Sequence, residues 1–162
     1  MVGTKDHGIR ILVFCLYVVL TAFFTCSSLA AEEYTLSKGQ TVYVPVYSNI
    51  YSSAKKVPID LANILSIRNT DTEHSIRITA VDYYNSKGVL VKKHYAKATT
   101  LASLESTHIF LSNRDKEGGF GANFIVKWEA DKEVNTPIIE CVMAGSEGRA
   151  FITSGHVIKG TK

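Results

Sequence analysis

A chain of 162 residues is long enough for one domain and a leader. Its 18 basic and 15 acidic residues leave a formal net charge of +3 at pH 7, and the lysines are scattered along the chain. Nucleic acid and anionic membrane surfaces call for clustered cationic charge, so the composition argues against both as partners.

The N-terminal segment has the parts of a secretory signal peptide. Two basic residues flank an apolar run, Ile11–Phe24, which is shorter than the roughly 20 residues needed to span a bilayer. The small residues Ser28 and Ala30 follow at the two sites where signal peptidase requires them. We therefore predict a signal-peptide helix in residues 1–30, cleaved after Ala30, ahead of a single domain in residues 31–162.

Two other fates of the N-terminus stay open, and each would tether the protein to a membrane. The small and polar residues beyond the apolar run could prolong it into an uncleaved anchor. Alternatively, Cys26 could be acylated as in a lipoprotein, although Phe23 and Thr25 depart from the residues that a bacterial lipobox prefers. Membrane attachment is expected only through one of these two routes.

Cys141 is the only cysteine that remains once the leader is removed. An internal disulfide is then excluded, so the apolar core must hold the fold, and a chain of this size buries roughly two-thirds of its unfolded surface. Cys141 shares its strand phase with Ile139 and Met143, which predicts a buried, inert thiol rather than a catalytic nucleophile.

Behind the leader, apolar and polar residues alternate with a period of two, as in half-buried β-strands. In Thr41–Tyr47 the valines occupy one face, and Pro45 on the other face predicts an edge strand because proline cannot donate a ladder hydrogen bond. Further strands are predicted at Asp60–Arg68, from Ile76 to Tyr84, at Val89–His94, around Ser103–Thr107, and at Ala122–Glu129, Ile138–Ala144 and Arg149–Ser154.

Turn-forming residues separate these strands at a spacing of roughly ten residues. Asn85–Gly88 predicts a hairpin turn, and Ser112–Gly121 is the longest polar, glycine-rich loop. Because its glycines precede a strand and not a helix, we expect a flexible hairpin loop there rather than a phosphate-binding loop. The whole pattern predicts an all-β, immunoglobulin-like antiparallel β-sandwich of about seven to nine strands.

Six stretches that cover nearly all of the domain, in this order, share one resemblance: KGQTVYVPVYSNIY (Lys38–Tyr51), LSIRNTD (Leu65–Asp71), ITAVDYYNSKGVLV (Ile78–Val91), LASLEST (Leu101–Thr107), GGFGANFIVKW (Gly118–Trp128) and PIIECVMAG (Pro137–Gly145). Together they resemble the bacterial domain of unknown function 3124 family, whose members are short exported proteins. The resemblance implies a bacterial origin and a periplasmic or cell-surface address. It implies no activity, cofactor or catalytic residue.

Residues capable of catalysis form no recognisable set in the sequence. The histidines lack the H-x-H and H-E-x-x-H spacings of zinc sites, and Asp115 and Glu117 lack the ligand density of a calcium loop. No metal site, cofactor or catalytic residue is therefore predicted, and the domain is expected not to be an enzyme. One alternative stays open, an enzyme whose site is assembled from distant residues: Asp82, His94, His108 and Glu140.

Aromatic residues point to binding instead. Tyrosines recur every four residues near the first strand, and exposed aromatic rings give a large contact area at low entropic cost. The candidate contact surfaces are the Tyr47–Lys56 and Asp115–Phe120 loops, and the partner is expected to be another envelope protein or a glycan. The candidate binding residues are Tyr47, Asn49, Tyr51, Asp115, Glu117 and Phe120. Packing of the tyrosines on a second face of the sheet is the alternative.

Overall fold

The structure, a computed structural model, describes residues 35–51, 57–145 and 148–159. The predicted leader, its cleavage after Ala30, the alternative acylation of Cys26 and the end of the Tyr47–Lys56 loop lie outside these residues. The described residues form eleven strands and no helix. The strands are β1 (Leu36–Val46), β2 (Asn49–Tyr51), β3 (Pro58–Arg68), β4 (Ile76–Tyr84), β5 (Leu90–Lys93), β6 (Thr99–Leu101), β7 (Ser106–Leu111), β8 (Ala122–Asn135), β9 (Ile138–Gly145), β10 (Ala150–Ser154) and β11 (His156–Ile158).

The strands form two antiparallel sheets, which confirms the predicted β-sandwich. The first sheet has the order β11-β1-β8-β4-β5, with β6 also paired to β4. The second has the order β10-β9-β3-β2, with β7 also paired to β3. The structure has more strands than predicted because β2 and β11 are only three residues long and because the region from Leu101 to Leu111 contributes to two strands.

The central pairs of the two sheets follow the immunoglobulin arrangement, in which strands A, B, E and D form one sheet and C, F and G the other. The β3–β7 and β4–β8 pairs take the places of the B–E and C–F pairs. The flanking strands are exchanged, because β9 lies beside β3 and β1 lies beside β8. The first strand of the domain thus occupies the place of the last immunoglobulin strand.

The core lies between the sheets and contains the side chains of one phase of the longer strands β1, β3, β4, β7, β8 and β9. Val42, Val44 and Val46 of β1 are buried, as the alternation predicts. In β8 the buried phase contains Phe124 and Trp128, so the tryptophan is a core residue.

A corner between β10 and β11 carries the chain from one sheet to the other. At this corner the Gly155 amide donates to the Ile139 carbonyl over 2.8 Å, and a Cβ on Gly155 would lie only 2.9 Å from that oxygen. The predicted edge position of β1 is wrong, because β1 lies between β8 and β11. Pro45 is tolerated because β11 pairs only with Thr41–Tyr43, and the Pro45 carbonyl accepts a bond of 2.6 Å from the Thr153 hydroxyl.

One predicted turn is confirmed, and one predicted strand is only partly correct. The hairpin turn at Asn85–Gly88 is confirmed, since the Gly88 amide donates to the Asn85 carbonyl over 2.9 Å and Gly88 has a φ of 72°. The strand predicted around Ser103–Thr107 is wrong for its first half. There the Glu105 amide donates to the Ala102 carbonyl over 3.1 Å, and Leu104, with a φ of 60°, turns the chain from the first sheet into the second.

Candidate binding surface

Three aromatic side chains from the two predicted contact loops meet at one end of the sandwich. The Phe120 ring lies edge-on to Tyr47, with centroids 5.2 Å apart, and stacks on Tyr51 at 6.2 Å. Tyr51 is 58% exposed and Phe120 is 52% exposed, whereas Tyr47 packs partly against the core. We call these three residues the aromatic end.

Ser48 holds the tyrosine side of the aromatic end in place. It is buried at the bend between β1 and β2, where its amide donates to the Gly119 carbonyl over 3.1 Å. Its own carbonyl accepts the Leu61 amide at 2.9 Å. Its hydroxyl is hydrogen-bonded to that of Tyr83 at 3.3 Å, and burial raises the pKa of Tyr83. Ser48 therefore connects the bend by hydrogen bonds to the loop that contains Phe120, to β3 and to β4.

The glycine-rich loop before β8 holds the phenylalanine side. The Gly118 carbonyl accepts both the amide and the hydroxyl of Ser86, each at 2.9 Å, and the Ser86 hydroxyl accepts the Gly121 amide at 2.8 Å. A Cβ on Gly118 would overlap the Tyr83 hydroxyl, and Gly119 has a φ of 72°. The expected flexible hairpin is wrong, because this loop crosses from β7 in the second sheet to β8 in the first and its backbone is anchored.

A polar rim borders the rings on the second sheet. Lys116 and Asp60 form an ion pair of 3.2 Å, and Asn49 lies directly opposite Asp60 in the β2–β3 pairing. Directly opposed residues of antiparallel strands share a face, so Asn49 lies on the same face as this ion pair. Ser48 and Lys116 lie in the two predicted contact loops but were not among the candidate binding residues, and sequence patterns missed Asp60, because the significance of all three depends on which loops meet.

The two acidic candidates have a different setting. The Asp115 carboxylate accepts the Glu117 amide at 3.1 Å and so closes its own turn. Both residues border a shallow depression next to β4 in which cationic side chains outnumber acidic ones. Its lining consists of Tyr83, Val91, Lys92, Arg114, Asp115, Lys116 and Glu117. The described contacts therefore place Asp115 and Glu117 beside the aromatic end without joining them to its rings.

The four residues of the alternative enzyme site do not converge. Asp82 lies between the buried residues Val81 and Tyr83 of β4, so it points to the outer face of the first sheet. His108 and Glu140 both lie opposite Ser66, on the outer face of the second sheet. The core separates these two faces, so a catalytic pocket cannot include all three.

His94, the fourth residue of that set, packs against the core. Its ring centroid lies 5.8 Å from that of Phe124, and burial, with a smaller contribution from Lys92, lowers its pKa. Cys141 is fully buried in β9, and burial raises the pKa of its thiol to about 12. The prediction that this cysteine is a buried thiol is confirmed, and at neutral pH the thiolate is a negligible fraction.

The described residues show neither a metal-binding cluster nor a membrane-spanning helix. Within residues 35–51, 57–145 and 148–159, histidine, cysteine and carboxylate side chains form no group of three that could hold a metal ion. In the same ranges, no helix has the length and apolar character of a membrane span.

Comparisons with known proteins reach the family level. The family model described as protein of unknown function (DUF3124) matches residues 39–158. No curated protein matches the chain. Among solved structures, the crystal structure of Thermotoga maritima 1070 aligns with 75% of this chain and 97% of its own, at 13% sequence identity and a TM-score of 0.44.

Proposed function

The chain belongs to the DUF3124 family of proteins of unknown function, and we propose that its β-sandwich is a non-enzymatic binding module of a bacterial cell envelope. The observation that carries this proposal is the aromatic end, where the rings of Tyr51 and Phe120 are more than half exposed on anchored backbone. The partner that we propose is another envelope protein or a glycan.

Exposed rings at this position favour binding on energetic grounds. Apolar area in water stabilises a folded monomer little, but it contributes about 25 cal/mol per Å² when a partner covers it. Aromatic side chains also lose little conformational freedom on binding, because each has only two side-chain torsions. The hydrogen bonds of Ser48 and Ser86 hold both loops, so little ordering of the backbone is needed when a partner binds.

The polar rim supports the two partner classes in the same way. A sugar ring presents an apolar face that stacks on an aromatic ring and hydroxyl groups that bond to carboxylate and ammonium groups. Asp60 and Lys116 supply such groups beside the rings. A protein partner would use the same arrangement, with rings at the centre of the contact and charged residues at its rim.

Affinity capture tests this proposal. The tagged full chain is used to capture partners from its own envelope fraction, beside a Tyr51→Ala/Phe120→Ala double variant and a Val157→Ala control. Val157 is also exposed, but it lies in β11 of the first sheet. We expect the double variant to recover at least about tenfold less partner than the control. Protease treatment of the fraction removes a protein partner and spares a glycan.

Equal recovery by the double variant and the control would contradict the proposal. A thermal melt of each variant serves as the folding control, because the two rings are largely outside the core.

Export is the second part of the proposal and has its own test. We propose that the leader is removed after Ala30, with acylation of Cys26 or an uncleaved anchor as the alternatives. Intact-mass and N-terminal analysis of the protein from its host distinguishes the three. A chain that starts at Ala31 supports cleavage, a lipid on Cys26 supports a lipoprotein, and an intact N-terminus supports an anchor.

A further inference from the structure

The outer face of the second sheet carries an apolar row that crosses four strands. Phe110 of β7 lies opposite Ile64 of β3, Ile64 lies opposite Val142 of β9, and Val142 lies opposite Ile152 of β10. Directly opposed residues share a face, so the four side chains stand side by side. Phe110 is 59% exposed, Ile152 is 61% exposed and Ile64 is 37% exposed. We call these four residues the apolar row.

A second line of small apolar residues extends the row towards one end of the sheet. Ala62, Ala144 and Ala150 lie opposite one another in β3, β9 and β10. The outer face of an antiparallel sheet ordinarily carries polar residues, since one face is buried and the other solvated. Seven contiguous apolar side chains on such a face indicate a surface that another molecule covers.

We propose that a second copy of the chain covers this face. The second sheet of one copy stacks face to face on the second sheet of the other. The two copies are related by a two-fold axis that runs parallel to the strands, midway between β3 and β9. The apolar row has the shape that this symmetry needs. Its bulky members, Phe110 and Ile152, lie at the two ends, and Ile64 and Val142 lie in the middle. The axis places Ile64 of one copy over Val142 of the other, and Phe110 over Ile152, so that both halves of the contact are the same.

The charges on this face suit a second copy better than a charged partner. Arg68 and Glu140 lie on the face beyond the apolar row and form an ion pair of 3.5 Å with each other. The proposed axis places Glu140 opposite Ser66 of the other copy, so like charges do not meet. An acidic or a basic partner would find little uncompensated charge to bind, whereas a neutral, self-complementary face stacks without repulsion.

The dimensions of the face set the expected strength. Four strands and seven residues of β3 measure roughly 19 by 24 Å at standard strand spacing and rise. A stable interface buries about 800 Å² on each partner, and the roughly 460 Å² of this face is little more than half of that value. We therefore expect a dimer that dissociates at micromolar concentration.

Sedimentation equilibrium tests the proposal. The full chain is expressed in a bacterial host, and the protein that accumulates there is purified and measured. Ile64→Glu buries an unpaired carboxylate at the centre of the contact and is expected to weaken association by at least about 100-fold. Val89→Glu adds the same charge at an exposed residue of the turn between β4 and β5, away from the second sheet, and should leave association unchanged. A protein that is monomeric at all concentrations, or equal effects of the two variants, would overturn the proposal.

Cross-linking tests the axis with variants that do not add charge. Mixed Ile64→Cys and Val142→Cys proteins should be bridged by a short bismaleimide, whereas Val89→Cys should not be bridged to either. Cys15 and Cys26 are replaced by serine in all these proteins. The native Cys141 does not compete, because it is buried and its pKa is about 12. Association without this cross-link overturns the proposed face. Tyr51→Ala/Phe120→Ala should dimerise normally, so the failure of one proposal is distinguishable from the failure of the other.

Discussion

Hydrogen bonds to backbone groups hold the chain at both ends of β3, but the two ends have different roles. One end meets the aromatic end, where backbone hydrogen bonds of Ser48 and Gly118 hold loops whose rings stay exposed. The other end enters Asn69–His74, which we call the Asp71 turn. There the Asp71 carboxylate accepts the amides of Glu73, His74 and Asn135 at 2.9, 2.8 and 3.0 Å.

The Asp71 turn directs its polar groups inward. Asn69 is buried, and its amide group donates to the carbonyls of His74 and Ala102, each at 2.8 Å, while its side-chain oxygen accepts the Asp71 amide at 3.0 Å. Asn69 thus joins the end of β3 to the turn after β6, and Asp71 joins it to Asn135 at the end of β8. The comparison teaches that the Asp71 turn, whose polar groups bond to one another and to neighbouring strands, stabilises the fold. The aromatic end, whose loops are anchored but whose rings are exposed, instead presents a surface to solvent.

Among substitutions in the loops and turns, the largest effect is expected where the aromatic end is anchored. Gly118→Ala would force a Cβ into the Tyr83 hydroxyl and within 2.7 Å of the Ser48 hydroxyl, and it should lower the free energy of unfolding by about 3 kcal/mol. Denaturant unfolding measures this loss. The matched control is Gly121→Ala in the same loop, where a Cβ would come no nearer than 3.7 Å to its neighbours. Equal stability of the two variants would show that the loop is not anchored as described.

Removal of the Asp71 carboxylate comes second. Asp71→Ala leaves three backbone amides without their acceptor in a buried turn, which costs more than the loss of one ordinary hydrogen bond. We expect the second-largest loss of unfolding free energy, with Asp71→Asn intermediate because an amide oxygen still accepts. If Asp71→Ala unfolds at the same denaturant concentration as the wild type, the turn does not secure this end.

Acid should weaken the Asp71 turn. The amides of Glu73, Asn135 and His74 lower the pKa of Asp71 from its usual 3.8. A carboxyl group with a lower pKa in the folded state stabilises the fold above its unfolded pKa, and this contribution declines as the pH falls through the folded pKa. The stability difference between the wild type and Asp71→Asn should therefore shrink below about pH 4. His94 acts at a higher pH. Because its pKa is lower in the folded state than the usual 6.5, the unfolded state binds a proton first, and the free energy of unfolding decreases as the pH falls below 6.5.

The smallest effect on stability is expected at the exposed rings. Phe120→Ala removes ring contacts with Tyr47 and Tyr51 that lie mostly in solvent, and it should cost about 1 kcal/mol or less. Phe124→Ala removes a fully buried ring and should cost about 3 to 5 kcal/mol. Thermal and denaturant melts of the two variants compare them directly. Equal losses would make the aromatic end a part of the core.

Sequence patterns predicted what depends on neighbours along the chain. The alternation in β1 and β8 predicted the buried phase of the valines, Phe124 and Trp128, and the same argument predicted the burial of Cys141. Tyr47, Tyr51 and Phe120 were singled out as exposed-loop aromatics, but their contact was not foreseeable. It depends on Ser48 and Gly118, which bring together loops that are 70 residues apart in the chain.

The apolar row shows the same limit. In each of its strands the outward residues could be read from a period of two, yet only the pairing register places Phe110, Ile64, Val142 and Ile152 side by side. By itself the sequence determined the longer strands, their buried phase and the sandwich class, because alternation along a strand is a local property. The tertiary structure alone decided the exchanged flanking strands, the assembly of the aromatic end and the apolar row, because register and loop contacts arise from packing between distant segments.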